Sequence, residues 1–306
     1  MSLKGLFLLA IVASIPRATT AQSRPSGAPL LVSTAWLAKH IGDRNLVLLH
    51  VGDKKEYQAA HIPGAHFISL GDISVSGKQA GGLELEMPAT RVLHDDLAKL
   101  GITDKSRVIV YYASDRVTAT TRVVFTLDYA GLGDRTSVLD GGMRAWTHDN
   151  HPVTATISPV RAGTLSPLST KPLVVDANWV RSHVGARGIS VVDARAGALY
   201  DGTERGGGMG EPLQRAGHIA GARSFPYTDI TNDDLKFKSV GELQSLFAKA
   251  GVKPGDTVVA YCHIGAQATG VLFAARMTGH PILLYDGSFE DWSAHTSFPV
   301  ETKPTR

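Results

Sequence analysis

The chain has 306 residues, 43% of them hydrophobic and 19% charged, with a formal net charge of +3. One hydrophobic core stops growing near about 250–300 residues, so two domains are expected. The near-neutral balance, with no lysine or arginine run longer than two, excludes a nucleic-acid binder of the basic-patch kind.

The N-terminus, "MSLKGLFLLAIVASIPRATTAQS", puts Lys4 ahead of an apolar run and small residues around Ala21. This is the pattern of a secretory signal peptide over residues 1–21, cut after Ala21. The alternative is a buried N-terminal helix or short anchor. Export to the periplasm or beyond is therefore expected, and removal of Lys4 and Arg17 leaves the mature chain close to neutral. No later apolar run approaches about 18 residues, so no membrane span is expected in the mature form.

From residue 30 onward the chain contains itself twice. "HIPGA" at 61–65 returns as "HIAGA" at 218–222. "GITDKSRVIVYY" at 101–112 returns as "GVKPGDTVVAYC" at 251–262, and "VLDGGMRAW" at 138–146 as "LLYDGSFEDW" at 283–292. The order is the same in both halves, so the chain is read as a tandem duplication with domains at 30–150 and 173–302. Between them, residues 151–172 carry Pro, Thr, Ser and Gly without periodicity and read as a linker.

Each half begins with a short amphipathic segment ("STAWLAKHIG"; "DANWVRSHVG"), then a β-branched run ("NLVLLHV"; "ISVVDAR"). The His-Ile-x-Gly-Ala turn and a short extended segment follow. A helical pattern then leads to a second apolar run ("RVIVYY"; "TVVAYC"), another helix, and a third strand ending in Asp-Gly. Continuous apolar runs alternating with helices predict a mainly parallel sheet with helices on both faces, an α/β fold in each half. In such sheets ligands bind beyond the carboxyl ends of the strands.

The one cysteine, Cys262, sits at such an end, in "VVAYCHIGAQATGVLFAARM". Exported proteins use cysteines in pairs, and a lone thiol there is either buried and inert or reactive and useful. With a helix starting near Ala266, the backbone of His263, Ile264, Gly265, Ala266 and Gln267 curls into an anion-binding nest that favours the thiolate. A cysteine phosphatase needs an arginine six positions on, and Ala268 stands there. A Cys–His hydrolase needs a histidine placed by the fold, since the ring of His263 points away on such a turn. Sulfane-sulfur relay needs only one thiol and one nest. The twelve histidines are scattered without ligand spacing, so no metal site and no cofactor are expected.

These motifs, namely "VVAYCHIG", "VVDARAGALY", "GHIAGA" and "LYDGSFEDW", resemble the rhodanese family in its tandem form, over about residues 30 to 300. The resemblance implies two α/β domains, the second catalytic, and a six-residue active loop from Cys262 to Gln267. It makes Cys262 the persulfide-forming nucleophile and Arg195 the cation that attracts the donor. Asp193, Asp286 and Trp292 become structural support, and His218 satisfies backbone groups in its turn. The implied partners are a small anionic sulfur donor, thiosulfate or 3-mercaptopyruvate, and a thiophilic acceptor such as cyanide. A non-catalytic module delivering persulfide sulfur to a partner protein is the alternative.

The loop departs from both donor patterns of the family. Thiosulfate-using members carry basic residues where His263 and Ile264 stand, and mercaptopyruvate-using members carry small residues followed by Val-Thr. His263 is therefore expected to supply positive charge below about pH 6.5 and to strengthen transfer from thiosulfate there. In the first copy, Tyr112 falls opposite Cys262, His50 opposite Asp193 and Gly52 opposite Arg195. Its turn is two residues longer, counted to Gly131 and Gly279. A silent N-terminal domain that buries one side of the catalytic one is expected. The insert at 201–214 looks like a phosphate loop, but no strand leads into it and no helix follows. A mobile loop at the rim of the site is expected there.

Overall fold

The computed structural model describes residues 27–77, 82–207 and 213–303. The signal-peptide expectation for 1–21 lies outside these residues, as do residues 208–212 of the glycine-rich insert. The first half runs β1 (Leu31–Val32), α1 (Thr34–His40), β2 (Leu46–Val51), α2 (Lys54–Ala59), β3 (Ala65–Ile68), α3 (Thr90–Lys99), β4 (Arg107–Tyr112), α4 (Val117–Tyr129), β5 (Thr136–Leu139) and α5 (Gly142–His148). The second runs β6 (Val174–Val175), α6 (Ala177–His183), β7 (Ile189–Asp193), α7 (Gly197–Asp201), β8 (His218–Ile219), β9 (Arg223–Ser224), α8 (Val240–Lys249), β10 (Thr257–Tyr261), α9 (Ala266–Met277), β11 (Ile282–Tyr285), α10 (Ser288–Ala294) and β12 (Val300–Glu301).

Each half folds into a five-stranded sheet in which every strand pair is parallel, in the orders β1-β5-β4-β2-β3 and β6-β11-β10-β7-β9. The strands alternate between two apolar faces. In the first domain Leu48 and Ile109 pack with Leu37 of α1 and Trp146 of α5, while Leu49 and Val110 pack with α3 and α4. In the second, Val259 and Tyr285 pack with Val180 of α6 and Trp292 of α10, while Val258 and Leu284 face α8 and α9. Both faces are buried, which is why these strands read as unbroken apolar runs.

The repeated motifs are turns and anchors, and the same atoms do the same work in each copy. Nδ1 of His61 bonds the carbonyl of Tyr57, and Nδ1 of His218 that of Tyr200, both at 2.7 Å. The tryptophan that follows each Asp-Gly donates its indole N–H to a backbone carbonyl, Trp146 to Pro152 at 2.8 Å and Trp292 to Pro299 at 3.1 Å.

The two domains share one hydrophobic core. It runs from the inner face of the first sheet through α4 and α9 to the inner face of the second. Helix α9 is apolar almost all round, because the sheet lies on one side of it and α4 on the other. The two helices lie side by side in the same direction. Thr121 bonds Thr269 near their starts at 3.0 Å, and Asp128 pairs with Arg276 near their ends at 2.9 Å. Truncating a residue such as Leu272 here costs about 2–5 kcal/mol by cavity formation. Both helix N-termini therefore open toward one place.

Candidate functional site

That place is the carboxyl end of β10. The strand ends at Tyr261, paired with Asp193 of β7, and Cys262 follows. Cys262 is 1% exposed. Its N–H donates to Ser288 Oγ at 3.2 Å and its carbonyl accepts from Phe289 N–H at 3.0 Å. The next carbonyl, of His263, accepts from Glu290 N–H at 3.0 Å. The start of α10 thus clamps the loop from behind. The loop turns at Gly265, where φ is +87°, a conformation that side chains with a Cβ rarely adopt. This turn aims the Gly265 N–H at Cys262 Sγ, 3.2 Å away, and α9 begins at the next residue. A donated N–H and the N-terminus of a 12-residue helix both favour negative charge on the sulfur.

Cys262, His263, Ile264, Ala266 and Gln267 line a cleft of about 630 Å³. Gly265 does not line it, and on the side where a Cβ would project it faces Arg122 and Asp286 behind the loop. Nδ1 of His263 and Oε1 of Gln267 are buried without a hydrogen-bond partner among the described residues. The ring of His263 lies against Gly206, where an added Cβ would fall 2.0 Å from Cε1. The insert is therefore at the site, and Gly207 lines the cleft. Burial, with the Arg195 guanidinium adding to it, pushes His263 down to about 4. This corrects the expectation of a loop cation at mildly acidic pH: the ring stays neutral through that range.

Arg195 lies close enough to the loop to act on Cys262 and His263, but it is buried. It is 1% exposed and does not line the cleft. Its guanidinium is paired with both oxygens of Asp193, bonds the carbonyl of Gly217 at 2.7 Å and stacks on Phe289 at 4.2 Å. Asp193 and Arg195 form a strut that joins the end of β7 to the helix behind the loop. Nε and Nη2 of Arg195 are spent on Asp193 and Gly217, while Nη1 makes no hydrogen bond among the described residues. His218 holds its turn through Tyr200, with Glu301 3.6 Å away on the other side.

Asp286 accepts from Arg122 at 2.6 Å and from the Met87 N–H at 2.7 Å. Arg122 belongs to α4 of the other domain and is fully buried. It also bonds the carbonyl of Leu85. One guanidinium therefore ties three pieces together: the segment after β3, the Asp-Gly turn before α10, and the underside of the Cys262 loop. The reading of the sequence missed Arg122, and with it the opposite wall of the cleft. That wall is built by Leu70, Glu84 and Leu85 after β3 and by Arg116, Thr118 and Ala119 at the start of α4. The one available signal was a charge inside the apolar helical run "TTRVVFTLDYAG", where only a paired charge is tolerated.

In the first domain Tyr112 stands where Cys262 stands in the second. Its hydroxyl accepts from Gly141 N–H at 2.9 Å and donates to the carbonyl of Leu235 across the domain boundary. His50 takes the place of Asp193 and bonds Tyr111 at 2.8 Å, and burial pushes it down to about 4. The strut's anion and cation have gone together, leaving a neutral pair and Gly52. Of the two extra residues in this copy, one lies in the turn and one in the helix, since α4 has 13 residues and α9 has 12.

Fold and site together define an α/β protein of two like domains, with one thiol held in a backbone nest of the second. A model of the rhodanese-like domain matches residues 33–149 and again 176–295, and the chain belongs to that family. Over 290 residues it is 31% identical to the thiosulfate sulfurtransferase of Mus musculus, covering 89% of this chain and 94% of that one. It is 32% identical over 250 residues to a probable 3-mercaptopyruvate sulfurtransferase of Pseudomonas aeruginosa, covering 80% and 86%. The solved structure of YnjE aligns with a TM-score of 0.80 at 26% identity, over 90% of this chain and 69% of that one.

Proposed function

We propose that the protein is a sulfurtransferase that moves sulfane sulfur from thiosulfate, or a similar anionic donor, to cyanide or a thiol through a persulfide on Cys262. The Cys262 thiolate attacks the outer sulfur of thiosulfate, the S–S bond breaks and sulfite leaves with the bonding pair. The persulfide anion occupies the same nest. Cyanide then attacks the outer sulfur, thiocyanate leaves, and the thiolate returns to Gly265 N–H. The observation that carries this reading is the 3.2 Å contact from Gly265 N–H to Sγ at the start of α9, on the floor of a cleft. Cys262 is also the only cysteine in the sequence, so no second thiol of the chain competes for the sulfur.

The test is thiocyanate formation from thiosulfate and cyanide, together with intact mass before and after donor. Turnover abolished by Cys262→Ser, with one added sulfur on the wild type alone, supports the reading. A stable sulfur adduct without turnover supports instead a module that hands sulfur to a partner protein. The loop itself contributes no charged group to the cleft that would favour thiosulfate over 3-mercaptopyruvate, so both donors belong in the assay. We further propose export, on the pattern around Ala21; N-terminal sequencing of the mature protein tests it.

A further inference from the structure

A cation in the cleft favours an anionic donor, and among the described residues around it Arg195, Arg122 and His263 are engaged or neutral. Arg195 is buried and bound to Asp193 and Gly217. Arg122 is buried and bound to Asp286 and Leu85. His263 is neutral above about pH 4. The fourth is Arg116. It caps the start of α4, its side chain is exposed, and it has no side-chain hydrogen bond or ion pair among the described residues. It lines the same cleft as Cys262, Ala266 and Gln267. The other charged residues on the described walls, Glu84 and Asp115, are acids. Among the described residues of that wall Arg116 is the one cation, and it draws a donor anion toward the cleft.

We infer that Arg116, supplied by the silent domain, binds the anionic head of the sulfur donor and sets donor preference at Cys262. The inference rests on the sulfur-transfer reading above. The parallel packing of α4 on α9 is what makes it physical. Because Thr121 sits against Thr269, Arg116 at the head of one helix faces the Cys262 loop at the head of the other. The head group it takes is a sulfonate, as in thiosulfate, or a carboxylate, as in 3-mercaptopyruvate. A guanidinium pairs with either through two parallel N–H donors. The second domain thus keeps the nucleophile, while the first keeps the cation that its own copy of the site no longer uses.

The experiment compares wild type with Arg116→Gln and Arg116→Lys on both donors, and adds a readout independent of turnover. That readout is the ratio of Cys262 alkylation rates by iodoacetate and by iodoacetamide, which differ by one carboxylate. Arg116→Gln is expected to raise KM roughly tenfold for the donor whose head group it binds, with kcat little changed, because the contact is made equally before and during transfer. The iodoacetate to iodoacetamide ratio falls with it, and Arg116→Lys restores part of both. A KM effect on thiosulfate alone assigns the sulfonate, and one on 3-mercaptopyruvate alone the carboxylate. KM for both donors and the alkylation ratio all staying within about twofold of wild type overturn the inference. Wild type that turns over neither donor, with an alkylation ratio that still falls in Arg116→Gln, overturns the sulfur-transfer reading and leaves Arg116 as the anion-binding residue.

Discussion

Replacing Gly265 by alanine isolates what holds the active loop in shape. The residue has φ of +87°, so any Cβ pays a backbone penalty of about 1 kcal/mol. The new Cβ would also lie 2.9 Å from Arg122 Nη1, 3.1 Å from the Asp286 carbonyl oxygen and 3.2 Å from Asp286 Oδ1. Arg122 cannot swing away, being fully buried and held by Asp286 at 2.6 Å. Overpacking of this kind adds about 1–3 kcal/mol. Gly185 provides the control: its φ is +81°, and a Cβ there meets nothing within 4 Å. Gly185→Ala should therefore cost about 1 kcal/mol, and Gly265→Ala about 2–4 kcal/mol. If the loop relaxes instead, the Gly265 N–H leaves Cys262 Sγ, and loss of a hydrogen bond to a charged sulfur lowers kcat by about tenfold or more. Urea denaturation of both variants and thiocyanate formation measure the two effects. Gly265→Ala no less stable than Gly185→Ala, with turnover intact, would refute the account of the loop.

The other predictions concern charge and the domain boundary. Arg122→Met leaves Asp286 with the Met87 amide as its one side-chain partner among the described residues, and breaking this buried pair should cost about 3–5 kcal/mol; Arg122→Met with Asp286→Leu should recover part of it in a urea double-mutant cycle. Because His263 is held down to about 4, the pH profiles of thiosulfate turnover for wild type and His263→Gln should share one shape between pH 5 and pH 8. An inflection near pH 6 in wild type alone would contradict this. His50 is likewise held down to about 4, so the unfolded chain takes up its proton first as pH falls. Its contribution is full above about pH 6.5, and about 1–3 kcal/mol should be lost by pH 4.5, a loss that His50→Asn removes in denaturation at both pH values. Tyr112→Phe gives up the bonds to Gly141 and Leu235 and should cost about 1–3 kcal/mol in urea denaturation without altering donor KM.

The duplication was legible because its markers are local. His61 and His218 each bond a carbonyl within their own turn, and Trp146 and Trp292 each reach a carbonyl just beyond their own helix. Local geometry of this kind needs the same residues wherever it recurs, so the two copies still resemble each other. Cys262 was legible for a related reason: an apolar strand, a glycine turn and an apolar helix in succession leave only one place for the residue at the strand's end. Arg195 was legible as a residue beside the loop, but its burial was not. Its pairing with Asp193 is local, but its burial under Phe289 depends on where α10 lands.

By itself, the sequence determined the two parallel sheets, their order of elements, the thiol at the end of β10 and the tyrosine in its place in the first copy, because these follow from periodicity, turn chemistry and residue identity. Only the tertiary structure decided which charges face the cleft. Arg122, Asp286 and the Cys262 loop are far apart in the chain and meet because α4 and α9 share one core. That packing buries Arg122, leaves Arg116 at the rim without a side-chain partner among the described residues, and makes the first domain one wall of the site. The close approach of the glycine-rich insert over His263 removes the ring from water and with it the proton the sequence led one to expect. Desolvation and charge pairing are properties of surroundings, and surroundings exist only once the two halves have closed on each other.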